Sequence, residues 1–214
     1  MLLKVCGLTR QKDMLLAAEL GADFCGFIFH PRSPRAVTPE EAALLRSGGM
    51  KRVGVFVGQN AVEIRRIMVA ARLDYAQLHG GQSLACADAV GSERVIRVLW
   101  PETFATPEDM QQEVDRQAAH CAFYLADAGR QGGGSGLLCG RAWLRQVQFP
   151  HPWLLAGGLH AGNAAQALAD CAPDGLDCNS ALEDRPGRKN AAKLRALAVL
   201  KGPAAAVSPA PEPL

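Results

Sequence analysis

The chain has 214 residues, 49% of them apolar and 21% charged, and a formal net charge of +2. That balance belongs to an ordinary globular protein, the length is close to the roughly 250 residues of a complete eight-fold barrel, and no basic stripe points to nucleic acid. Seven cysteines without a C-x-x-C spacing fit neither a disulfide framework nor a zinc site, so most are expected to be buried, reduced thiols.

The first apolar run, Leu2 to Cys6, meets Gly7 and Thr9 at once. It is too short for a membrane span or a signal-peptide core, so the chain is expected to stay in the cytoplasm. It reads instead as a strand, followed by a helix over Gln11 to Leu20 that Gly21 stops. The alternation continues with strand Phe24 to Phe29 and helix Pro39 to Arg46, whose Thr38-Pro39-Glu40-Glu41 supplies a cap, a proline at the first helical position and acidic residues in the first turn. Strands Val53 to Val57, Tyr75 to His79 and Val95 to Trp100 precede helices Ala61 to Arg72, Ser83 to Val90 and Pro107 to Ala119. Strands Ala122 to Asp127, Trp153 to Ala156 and Gly175 to Cys178 precede helices Arg141 to Val147, Ala161 to Asp170 and Asn190 to Leu200. Eight strand-helix pairs predict an α/β fold, a single (β/α)8 TIM barrel over residues 1–202, the alternative being an open parallel sheet. The proline- and alanine-rich segment 203–214 has almost nothing to bury and is expected to be a disordered tail.

In such a barrel the active site lies at the C-terminal ends of the strands. Cys6 ends the first strand, and period-two alternation puts Lys4 on the same face, roughly 6 to 7 Å along it, where a cation would favour thiolate. Asp127 ends the sixth strand beside the glycine-rich stretch Gly129 to Gly136, which lacks the lysine and hydroxyl of a P-loop and resembles a mobile active-site loop. Facing each other across a barrel mouth, Cys6 and Asp127 could form a base and acid pair, although a buried thiol and a turn-forming aspartate remain the plainer readings of each alone. Gly157-Gly158 after the seventh strand and Asn179-Ser180-Ala181 after the eighth stand where this fold commonly binds phosphate. Arg35, in a loop stiffened by Pro31 and Pro34, could hold a carboxylate in a two-bond fork.

Taken together, Lys4-Val5-Cys6-Gly7-Leu8-Thr9-Arg10, Gly26-Phe27-Ile28-Phe29 with Ser33-Pro34-Arg35, Val53-Gly54-Val55-Phe56, Gln77-Leu78-His79-Gly80, Gly133-Gly134-Ser135-Gly136, Leu155-Ala156-Gly157-Gly158-Leu159 and Gly175 to Glu183 with Pro186-Gly187 resemble the phosphoribosylanthranilate isomerases. The resemblance runs from about Lys4 to about Leu197 and departs at Leu137 to Arg141, where the family usually has Phe-Asp-Trp. It implies the Amadori rearrangement of N-(5′-phosphoribosyl)anthranilate to 1-(2-carboxyphenylamino)-1-deoxyribulose 5-phosphate, with no metal and no organic cofactor. It further implies Cys6 as general base, Asp127 as general acid, Arg35 on the anthranilate carboxylate, and Gly157, Gly158, Asn179, Ser180 and Ala181 around the phosphate. His79 and Asp177, inside matching motifs, complete the implied substrate-binding set. The expected partner is the phosphoribosyl substrate alone, with no nucleic acid or membrane, and the chain is expected to be a monomer. The competing readings are another phosphosugar-isomerase barrel, which would want an aspartate at position 6 or a metal site, and a non-catalytic barrel that binds a phosphorylated ligand.

Overall fold

The computed structural model describes residues 1–128 and 142–201. Most of the glycine-rich loop, residues 129–141, and the expected tail, 203–214, lie outside the described residues. Eight parallel strands close on themselves: β1 (Leu2–Val5), β2 (Phe24–Ile28), β3 (Lys51–Phe56), β4 (Tyr75–Leu78), β5 (Val95–Leu99), β6 (Phe123–Asp127), β7 (Trp153–Ala156) and β8 (Gly175–Cys178). Closure pairs β8 with β1 in the register Leu2↔Gly175 and Lys4↔Asp177, so the predicted barrel is observed and the open sheet is not.

Each strand is buried on both sides, which is why the sequence shows short continuous apolar runs. Phe24, Val53, Ile96, Val98, Leu125 and Leu154 form one cluster that fills the barrel, while Leu3, Val5, Phe27, Leu78 and Leu155 join Met14, Ile64, Met110 and Leu194 of the helices in a second. At the N-terminal end Phe24, Tyr75 and Phe123 meet edge to face, with centroids 5.5 to 6.0 Å apart, and plug the barrel. The opening is therefore at the other end.

Outside run α1 (Gln11–Glu19), α2 (Pro39–Leu44), α3 (Ala61–Ala70), α4 (Leu84–Val90), α5 (Pro107–Gln117), α6 (Ala164–Cys171) and α7 (Ala191–Ala198). Thr38 forms the expected cap of α2 as a full capping box with Glu41, and Gly21, at φ 79°, ends α1 in the left-handed region.

Three local expectations need correction, and one small element was not foreseen. Strand β3 begins at Lys51 and not at Val53, because Lys51 and Arg52 already pair with Phe24 and Cys25 of β2, and Arg52 is buried there. Its guanidinium stacks over Phe27 at 4.7 Å and donates to the carbonyls of Ala42, Leu45 and Ala71 at the ends of α2 and α3. The expected helix over Arg141 to Val147 is a 3₁₀ turn over Ala142–Gln146, the tighter form that short connecting segments commonly take, and Arg141 lies outside the described residues. Helix α6 starts at Ala164 and not at Ala161: the Asn163 side chain accepts from His160 N and donates to Gly158 O, tying residues 160–163 into a turn of their own. Finally, β9 (Glu183–Arg185) and β10 (Arg188–Lys189) form a small antiparallel hairpin around Pro186-Gly187, with Gly187 at φ 75°.

Candidate active site

The loops at the open end surround a cavity of about 300 Å³. Nine of the ten sequence-predicted site residues line it: Cys6, His79, Asp127, Gly157, Gly158, Asp177, Asn179, Ser180 and Ala181. Cys6 continues β1, and its amide donates to Cys178 O at 2.9 Å. Gly26 of the neighbouring β2 makes room for the thiol, because a Cβ there would stand 2.7 Å from Cys6 Sγ. Gly7, at φ 68°, then turns the chain between Arg35 and Asn179, where a Cβ would meet Asn179 Oδ1 at 2.6 Å and Arg35 Cδ at 2.8 Å.

Lys4 does point inward. It is wholly buried, and its Nζ donates to Asp177 Oδ2 at 2.7 Å across the β1–β8 seam. Asp177 Oδ1 is buried with no hydrogen-bond partner among the described residues. Burial alone would lower the Lys4 pKa, yet the neighbouring Asp177 and Cys6 hold it above the ordinary value, so the ammonium stays charged. Burial pushes the Cys6 thiol up, and that outweighs the pull of Lys4 and Lys189, with Asp177 adding to the rise. The sequence expectation that Lys4 would favour thiolate therefore names a real interaction that is smaller than the desolvation it opposes.

His79 Nε2 lies 3.7 Å from Asp127 Oδ2. Burial lowers the His79 pKa although Asp127 raises it, which leaves the ring neutral. The Gln77 amide reaches His79 Nδ1 at 3.2 Å. With that amide as donor, the ring proton sits on Nε2, facing the Asp127 carboxyl. The imidazole and Trp100 also meet edge to face, with centroids 5.5 Å apart.

Gly157 and Gly158 follow β7 at φ 104° and 66°, conformations that favour glycine and bring backbone to the cavity wall. Beside them, after the neighbouring strand β8, Asn179 leads into the 3₁₀ turn Ser180–Leu182. Lys189 Nζ fixes this segment by donating to Asn179 O at 3.1 Å, Asn179 Oδ1 at 2.9 Å and Glu183 Oε1 at 2.9 Å.

Arg35 is the predicted residue that does not line the cavity, though Ser33 and His30 of its loop do. Its Nε and Nη2 grip Glu183, the shortest contact being 2.6 Å, and its side chain is 17% exposed. The fork expected to face a ligand is thus closed on Glu183, which leaves Nη1 outside that grip. Gln77, Glu183 and Lys189 escaped sequence reasoning. Only Gln77 carried a usable signal, since a polar residue two before His79 shares its face of the strand. Among the described residues no group of three or more His, Cys, Asp or Glu is placed to hold a metal, and no helix is long and apolar enough to cross a membrane.

Residues 3–199 match the family model of N-(5′-phosphoribosyl)anthranilate (PRA) isomerase. The chain belongs to this family. It is 59% identical over 196 residues to the N-(5′-phosphoribosyl)anthranilate isomerase of Desulfovibrio desulfuricans, covering 92% of this chain and 93% of that one. It is also similar to the crystal structure of the phosphoribosyl anthranilate isomerase from Thermus thermophilus, with a TM-score of 0.79, 35% identity and coverage of 93% and 97%. A solved PRA isomerase in complex with reduced 1-(o-carboxyphenylamino)-1-deoxyribulose 5-phosphate is 26% identical, with a TM-score of 0.74 and coverage of 92% and 97%.

Proposed function

We propose that Cys6 and Asp127 divide the two proton transfers of the reaction this family performs, the isomerisation of N-(5′-phosphoribosyl)anthranilate in tryptophan biosynthesis. The chain is an isomerase for that substrate. Asp127 donates a proton to the ribose ring oxygen, the C1′–O bond breaks, and the nitrogen lone pair forms the C1′=N bond of a Schiff base. Cys6, as thiolate, removes the C2′ proton, and the electron pair moves into C1′–C2′ while the C=N electrons return to nitrogen. The resulting enolamine tautomerises to the aminoketone. Atoms and charge balance with one proton given and one taken, and His79 Nε2–H faces the Asp127 carboxylate left behind.

The loops at Gly157, Gly158 and Asn179 to Ala181 receive the phosphate, and Asp177 and His79 contact the sugar. Arg35 meets the anthranilate carboxylate through Nη1 while Glu183 fixes the guanidinium plane. The observation that carries this reading is one cavity holding both a strand-ending cysteine and a strand-ending aspartate beside two glycine-bearing loops. In steady-state assays that follow the loss of anthranilate-type fluorescence, Cys6→Ala is expected to lose about 10² to 10⁴ in kcat with product affinity nearly intact. Activity within about tenfold of the parent would remove Cys6 from the mechanism. We further propose that the enzyme works in the cytoplasm as a monomer.

A further inference from the structure

Outside the barrel, between α4, β5 and α5, lies a second cavity of about 270 Å³. Ile96 and Val98 of β5 point into the barrel, so period-two alternation sends Arg97 outward to this cavity's wall. Arg97 is 3% exposed, and its Nη1 donates to Gln82 O at 2.6 Å. Among the described residues its Nε and Nη2 have no partner. Those two nitrogens form the side-on edge of a guanidinium. Elsewhere in this chain that edge holds a carboxylate: Arg10 uses it on Asp13, Arg35 on Glu183 and Arg116 on Glu113.

The carboxylate already in this cavity, Glu113, is committed to Arg116 and to the Gln117 amide. Gln117 is itself buried, and its Oε1 also lacks a partner among the described residues. Interiors rarely keep such groups unmatched, and here a cation's fork and an amide acceptor border the same space. The facing wall is apolar, made by Leu84, Leu99, Trp100 and Phe104.

We propose that this cavity binds a small organic carboxylate that bears a hydroxyl or ammonium group beside the carboxylate. The carboxylate takes the Arg97 fork, the neighbouring donor takes Gln117 Oε1, and the apolar remainder lies against Leu99, Trp100 and Phe104. Trp100 also touches His79, so it stands between this cavity and the catalytic one.

The test titrates the intact chain, its catalytic cavity saturated with the phosphorylated product, with mandelate, phenylacetate, 2-phenylethanol and inorganic phosphate. The readouts are the Trp100 indole N–H resonance, assigned with Trp100→Phe, and the melting temperature. Mandelate is expected to shift both saturably and to bind more tightly than phenylacetate, with no effect from phenylethanol or phosphate. Arg97→Gln should weaken mandelate by roughly ten- to a hundredfold, as loss of a charge-assisted pair implies. Should that variant not fold, Gln117→Leu decides, since it should erase the preference for mandelate over phenylacetate. Mandelate binding only when product is absent, phosphate binding as well as mandelate, no saturable shift, or unchanged binding in folded Arg97→Gln would each overturn the assignment.

Discussion

Lys4→Met keeps a long unbranched stem and removes the ammonium, so it isolates what the buried charge does. Lys4 Nζ is 2.7 Å from Asp177 Oδ2, and the other Asp177 oxygen has no partner among the described residues. The variant therefore strands a buried carboxylate, and removing one partner of a buried pair costs about 3–5 kcal/mol. At roughly 2–4 °C per kcal/mol for a chain of this size, the melting temperature at pH 7 should fall by about 6–20 °C. The Lys4 pKa is raised in the folded protein, so its stabilisation is complete below the unfolded lysine value and is lost as pH rises through the folded one. The gap between parent and variant should accordingly narrow on the alkaline side of the ordinary lysine value, 10.5. Burial already pushes Cys6 up, and loss of the Lys4 pull pushes it further, so the ascending limb of kcat/KM, which rises as the thiolate forms, should move to higher pH. Calorimetry and a pH–rate profile read the two effects separately, and Lys4→Met/Asp177→Leu should recover much of the lost stability. A fall of under about 2 °C together with an unmoved limb would refute the reasoning.

Asp127→Asn keeps the shape but cannot deliver a proton, so kcat should drop by about 10² to 10⁴ while product affinity measured by titration holds; loss of affinity with kcat retained would make Asp127 a binding residue. Gly26→Ala introduces a Cβ that would stand 2.7 Å from Cys6 Sγ, and displacing the thiol should cost about 10²-fold in kcat in a protein whose circular dichroism is unchanged. Parental turnover in that variant would show that the thiol's position is not critical. Glu183→Gln should raise KM more than it lowers kcat, because Arg35 loses the partner that orients it. Burial would raise the Glu183 pKa, but hydrogen bonds from Arg35 and Lys189 hold it below the ordinary 4.5, so its stabilisation is present above the unfolded value and lost as pH falls through the folded one. The parent should therefore lose its stability advantage over Glu183→Gln in acid, and a pH-independent gap would contradict this.

The barrel was legible because all eight strands are short apolar runs bounded by turn residues, and each observed strand starts and ends within two residues of its predicted limits. What stayed hidden was carried by charge. Arg52 sits in a strand because helix-end carbonyls satisfy it, and those carbonyls come from residues up to 19 positions away. The hairpin at Pro186-Gly187 was too short to announce strands, yet it sets Lys189 opposite Glu183. Cys6, Asp127 and the glycine loops were readable because barrel geometry fixes where strand ends go. The closure of Arg35 on Glu183 was not, because a partner 148 residues away leaves no local pattern.

These pairings also explain how an anionic substrate can be attracted without being trapped. Lys4, Lys189 and Arg35 are each held by a carboxylate, with Asp177 serving the first and Glu183 the other two. Three cations against two carboxylates leave one positive charge in excess in this set, which holds while Asp127, also in the cavity lining, carries the proton it donates. That excess favours entry of a substrate carrying a phosphate and a carboxylate. Because each ammonium or guanidinium already has a fixed partner, none is released to collapse onto the ligand and form a tight pair that must be broken before product leaves. The same arrangement bears on the base. Burial is what chiefly keeps Cys6 in the thiol form, against the pull of Lys4 and Lys189, and Asp177, which shares Lys4, adds to the rise. The resting thiol is therefore predominantly neutral at pH 7, and the reaction rate should climb with pH as the thiolate fraction grows.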